Sequence, residues 1–325
     1  MIKSENKETT HRHSHHYEVA PGVWGMKDKF VNFYIIQDTE AGNWILIDTG
    51  LKTSGQKIID LAGELFENQK PRAIILTHGH FDHTGSVAEL ALRWKVPVYA
   101  HYLEFPYLSG LSAYPPPDPT VGGGLMSVLS PFYRSEPIDI SAFLTALPEE
   151  GEVPFMPGWK YFHTPGHAPG HISLFRDSDK VLIAGDAFVT TKPESLLSTI
   201  TQKQKVYGPP MYFTCDWEAA ATSVQTLVKL NPEIVATGHG KPFSGSEMKD
   251  QLKRLAENFK EEALPEQGRY LDEPAVADAS GVLYVPPEST ASLNKWIIAA
   301  GVVVAGLLVF GLVKYTNKKK NKQFL

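Results

Sequence analysis

Apolar positions along this chain recur with two periods, and near its end they run together with no period at all. Short runs rich in Val, Ile, Leu and aromatic residues read as strands at 19–24, 31–37, 43–48, 72–77, 96–101, 159–163, 172–176, 181–185 and 233–237. Helical spacing fits 54–67, 85–94, 217–230 and 244–263; in the second of these Val87, Leu90, Ala91 and Trp94 share a face. The first three strands follow one another through short turns, whereas later strands are separated by helices. An α/β fold of mixed sheets covered by helices is therefore predicted. Residues 102–158 break the pattern, because Tyr114-Pro115-Pro116-Pro117-Asp118-Pro119 and Gly122-Gly123-Gly124 are unsuited to regular structure. An insertion is expected there, serving as a lid or substrate wall.

Residues 296–313 are different in kind: eighteen positions without a charge, about 27 Å as a helix against a hydrocarbon core of about 30 Å. Trp296 and Tyr315 stand at the ends as interfacial aromatics, flanked by Lys295 and Lys314. This predicts a single transmembrane helix, in which Gly301 and Ala305 would allow self-association. The implied organisation is a polar tail at 1–16 containing His11, His13, His15 and His16, a body at 17–263, a linker at 264–295, the span, and a basic tail at 314–325. Met1 to Glu18 contains no apolar signal core, so a single-pass membrane protein with its body in the cytoplasm is expected. The lysines beyond the span argue for the opposite orientation.

Composition is that of a globular protein with room for a large core: 325 residues, 42% apolar and 21% charged. The net charge is −5, but five lysines from Lys314 to Lys322 carry +5, which leaves −10 on residues 1–313. Such a body lacks the basic face that nucleic acid needs. With Cys215 as the only cysteine, a disulfide framework and a thiolate metal cage are both excluded.

Candidate chemistry concentrates at residues 78–83, His-Gly-His-Phe-Asp-His. Three imidazoles and a carboxylate in one turn of chain would be costly as unpartnered core. They lie between a strand-type run and a helix, on the kind of loop where open α/β folds place ligands. Similar short loops follow other strand-like runs: Asp48-Thr49-Gly50, the stretch from Thr164 to His171 containing His167, Gly185-Asp186, and Gly238-His239-Gly240.

In their order and spacing these motifs resemble the metallo-β-lactamase superfamily over residues 17–262, and within it the glyoxalase II-like hydrolases. The resemblance implies a four-layer αββα sandwich of two mixed sheets, with His78, His80 and His167 holding one divalent ion and Asp82, His83 and His239 a second. Asp186 would bridge the two, Asp82 would also act in catalysis, and Asp48 would support a ligand histidine. Zinc is the expected metal, with iron and manganese also compatible with histidine and carboxylate ligands. The implied activity is hydrolysis of a small ester, thioester or lactone by a hydroxide bridging the metals. A phosphodiesterase or nuclease of the same superfamily, or a non-catalytic membrane-anchored binding module, are the alternatives. Asp186 stands where cysteine-ligated zinc β-lactamases have their cysteine, which disfavours β-lactams, and Val189 stands where lactonases often carry a tyrosine. His163 and His171 are read as structural, His101 as structural or substrate-facing, and Cys215 as a small buried hydrophobe.

Overall fold

The computed structural model describes residues 16–67 and 69–288. Seven strands form one sheet in chain order: β1 His16–Ala20, β2 Val23–Asp28, β3 Val31–Gln37, β4 Trp44–Ile47, β5 Ile74–Ile75, β6 Val98–Ala100 and β7 Leu144–Ala146. Pairing is antiparallel from β1 to β4 and parallel from β4 to β7. A second sheet has the order β12-β11-β10-β9-β8, from β8 Trp159–His163, β9 Ile172–Arg176, β10 Val181–Gly185, β11 Ile234–Thr237 and β12 Phe243–Ser244. In it β10 and β11 run parallel and the other pairs antiparallel, so both sheets are mixed.

Alternation within the strands sets the layers. In β3, Phe33 and Ile35 enter a core shared with the helices Gly55–Phe66 and Val87–Trp94, while Tyr34 and Ile36 enter a core shared with the second sheet. β4 repeats this with Trp44 and Leu46 on one side and Ile45 and Ile47 on the other. In β10, Val181 and Ile183 join the core between the sheets, and Leu182 and Ala184 pack under the helices Trp217–Lys229 and Ser246–Glu257. Strands buried on both faces explain why these segments read as unbroken apolar runs. Three cores thus separate four layers: helix, sheet, sheet, helix.

Several segments differ from the sequence reading. The run at 19–24 is the bend of a hairpin, β1 turning into β2 at Pro21-Gly22. Residues 102–158 are tied into the body, since β7 extends the first sheet and Tyr107, Ile140 and Leu147 are buried. At three residues β7 is too short for a period to announce it. Residues 264–288, expected as linker, pack against that body: Tyr270 is buried and its hydroxyl donates to the Pro116 carbonyl at 2.6 Å. The Ala275 N–H donates to the Cys215 carbonyl, and β13 Val276–Asp278 closes a hairpin with β14 Gly281–Tyr284.

The expected single-pass membrane localisation is also corrected. Among the described residues no helix is long and apolar enough to cross a membrane. The helices that cover the sheets are amphipathic and 8 to 13 residues long, short of the about 20 apolar residues that a span requires. The segment 296–313, on which the expectation rested, lies outside the described residues, as do 314–325 and His11, His13 and His15. A C-terminal membrane anchor, with self-association through it, therefore has no support.

Candidate metal centre

Five loops converge, each beginning where a strand ends: Asp48 after β4, 76–83 after β5, 164–171 after β8, Asp186 after β10 and His239 after β11. They bring together all seven candidate ligands, none more than 5% exposed. Ligand atoms of His78, His80 and His167 lie within 4.8 Å of one another, as do those of His78, His83 and Asp186, and those of Asp82, His83 and His239. Asp186 stands between the groups. Its Oδ2 is 3.1 Å from His239 Nε2 and 3.5 Å from Nε2 of both His83 and His167. Asp82 Oδ2 lies 3.6 Å from His239 Nε2.

Partners on the far side of the rings decide which nitrogen faces inward. His83 Nδ1 is held by Asp48 Oδ2 at 2.7 Å, and the same carboxylate accepts from the Thr77 N–H and hydroxyl, both at 2.7 Å. His239 Nδ1 donates to the Phe30 carbonyl at 2.8 Å, His78 Nδ1 meets the Thr77 hydroxyl at 3.0 Å, and His167 Nδ1 meets the Thr214 hydroxyl at 3.4 Å. Each ring thereby turns Nε2 towards the cluster, as histidines that ligate metal do. The β3 residue Asn32 anchors the His239 loop, its amide donating to the carbonyls of Thr237 and Gly240.

Burial and the two signs of charge divide these groups. Desolvation pushes His80 down to about 3 and holds His78 and His167 well below the ordinary imidazole value. Burial opposes charge on His83 and His239 as well, but there the carboxylates outweigh it: Asp48 and Asp186 hold His83 well above its usual value, and Asp186 brings His239 to about 8. Burial raises Asp82, while His239 and His83 overcome it at Asp186 and hold that carboxyl well below its usual range. His78 Nε2, His83 Nε2 and Asp186 Oδ1 are buried without a hydrogen-bond partner. Inward-facing orphan donors and acceptors of this kind are costly in a protein interior, and a divalent cation among them would satisfy all three, so the residues fit a metal site.

Sequence reading missed several parts of this arrangement. His171, read from the sequence as structural, joins none of the three ligand groups, but its specific part was not foreseen: it is fully buried at the cluster's edge, desolvation pushes it down to about 3, and its Nε2 accepts the Asp186 N–H at 2.9 Å. It thus positions the central carboxylate. Thr77, Thr214 and Asn32 carry no motif, and the Phe30 contribution is a backbone carbonyl that no side-chain pattern could signal. An aromatic wall also adjoins the cluster: Phe213 stacks on His80 with centroids 4.5 Å apart, and Phe81, Tyr133 and Tyr212 pack around Phe213. His101 and His163 stack on each other and join none of the three ligand groups. Cys215 is buried, and desolvation raises its thiol to about 12, so it offers no thiolate nucleophile.

Residues 26–239 match the family model described as the metallo-beta-lactamase superfamily. The chain belongs to that superfamily and is a metallo-hydrolase. Over 242 residues it is 46% identical to a probable metallo-hydrolase, YflN, of Bacillus subtilis strain 168, covering 74% of this chain and 92% of that one. It is 27% identical over 215 residues to the hydroxyacylglutathione hydrolase GloC of Haemophilus influenzae, covering 64% and 85% respectively. Among solved structures, a beta-lactamase domain protein from Burkholderia ambifaria matches with a TM-score of 0.53 at 21% identity, covering 76% of each chain, a likeness in fold alone.

Proposed function

We propose that this protein is a dinuclear metal-dependent hydrolase of a small ester, thioester or lactone. The observation that carries the proposal is the meeting of three overlapping ligand groups around Asp186. His78, His80 and His167 would hold one ion, Asp82, His83 and His239 the other, with Asp186 shared. Zinc is the metal proposed, and the histidine and carboxylate donors would also accept iron or manganese. When bound, such ions supply Lewis acidity that makes water nucleophilic near neutral pH and polarises the oxygen of the group attacked.

The chain's own residues do the rest. Asp82 orients the attacking water and takes its proton. As the new carbon–oxygen bond forms and the bond to the leaving oxygen or sulfur breaks, that proton passes to the leaving group. Asp48, Thr77 and the Phe30 carbonyl keep the histidines in one tautomer throughout. Phe81, Tyr133 and Phe213, backed by the buried Tyr212, give the substrate an uncharged, stacking surface. That suits a neutral carbonyl substrate, and the name of the Haemophilus influenzae relative supports a thioester among the three.

One observation favours phosphodiester hydrolysis as a second reading. A cavity of about 240 Å³ beside His80 and Phe81 is lined by Lys29, Lys52 and Arg134, cations that suit an anionic substrate. Arg134 is offset by an ion pair with Glu136 in the same wall. Assaying the purified full chain against matched panels of thioesters, lactones, simple esters and phosphodiesters separates the two. Higher kcat/KM on the carbonyl substrates is expected; turnover confined to phosphodiesters would replace the first reading with the second.

A further inference from the structure

Glu104 closes the short 3-10 turn Tyr102–Glu104 after β6, outside every ligand loop. It is fully buried, and among the described residues its carboxylate meets no cation. Three donors meet it instead. Oε2 accepts the Gly79 N–H at 2.7 Å and the Tyr114 hydroxyl, and Oε1 accepts the Gly170 N–H at 2.7 Å. The Tyr114 oxygen also accepts from the Gly79 N–H at 2.8 Å. Gly79 lies between His78 and His80, and Gly170 lies in the loop that carries His167. One carboxylate therefore joins, through separate oxygens, the two loops that supply the entire His78, His80 and His167 group.

The approach is close enough to dictate residue type. A Cβ on Gly79 would stand 2.5 Å from the Tyr114 hydroxyl and 3.2 Å from Glu104 Oε2; one on Gly170 would stand 2.8 Å from Glu104 Cγ. Both contacts require glycine. A buried carboxylate with no counter-ion is costly even when hydrogen-bonded, and burial raises this one to about 7. An apolar side chain would fill the same space at lower cost but could not receive N–H groups from two loops at once.

We infer that Glu104 is a positioning residue that clamps the Gly79 and Gly170 loops and so sets the spacing of His78, His80 and His167 for a metal ion. This rests on the ligand assignment made above, and the experiment keeps the two apart. Metal-free full-length protein is titrated with Co²⁺ against a competing chelator, and the visible ligand-field spectrum of the loaded protein is recorded. Glu104→Gln keeps the size of the side chain but turns an NH₂ towards a backbone N–H. It is expected to keep the wild-type circular dichroism spectrum, to lower Co²⁺ affinity at one site by about 10- to 100-fold, the usual scale for groups that orient ligands, and to alter the ligand-field bands. Tyr114→Phe removes one donor and should weaken the same site less. A folded Glu104→Gln with wild-type affinity and spectrum overturns the clamp; should Glu104→Gln not fold, wild-type behaviour of Tyr114→Phe overturns it. Wild-type protein that takes up no Co²⁺ would overturn the ligand assignment itself, and the clamp with it.

Discussion

Asp82 is the side chain whose replacement best separates binding from chemistry. It touches the His239 end of the cluster and carries a carboxyl that burial raises towards proton uptake. Asp82→Asn keeps the shape but cannot accept a proton. We expect kcat to fall at least about 100-fold, the scale of a lost acid–base group, with KM changed only a few-fold. Steady-state kinetics with near-normal kcat would confine Asp82 to a dispensable role. At this scale the sequence was most legible where chemistry is dense, because His-x-His-x-Asp-His has no plausible use in a core. It was least legible where one ordinary residue does the orienting. Thr77 and Thr214 resemble any other threonine, His171 became informative only when its Nε2 was found under the Asp186 N–H, and Glu104 stands 25 and 66 residues from the two glycines it binds.

Among the elements, strands buried on both faces could be read with little error: β3, β9 and β10 fall where their apolar runs predict, and the more exposed β8 was placed by its aromatic residues. Elements defined by their neighbours could not. β7 is a strand only because β6 offers it an edge, and the 264–288 segment is ordered by hydrogen bonds to residues about 150 positions earlier. Asp118 is the hinge of that second contact. Its Oδ1 accepts from the N–H and hydroxyl of Thr120, and its Oδ2 accepts the Arg269 N–H. Asp118→Ala should cost about 2–3 kcal/mol, as loss of hydrogen bonds to a buried charged acceptor does, and should loosen 264–288 before the sheets. Limited proteolysis checks this: early cuts between 264 and 288, with the remaining body intact, are expected. A cleavage pattern and Tm equal to wild type would contradict it.

For the whole molecule, two mixed sheets held face to face deliver loops from five strands to one place, three apolar cores fix those strands, and buried hydrogen bonds fix the loops. Sequence periodicity conveyed mixed sheets covered by helices; the four layers were implied by the resemblance of the loop motifs, and they arise because each core draws on alternate residues of the same strands. It could not convey convergence, since the residues that meet range from Asp48 to His239 and share no local pattern. The central claim is that this convergence is a two-ion hydrolytic centre. Its most direct test is elemental analysis of the purified full-length chain alongside hydrolase activity, before and after exhaustive chelation and again after adding back Zn²⁺. The account predicts close to two metal ions per chain, activity lost with the metal, and activity restored as the ions return. Full activity in protein shown to hold no metal would contradict it.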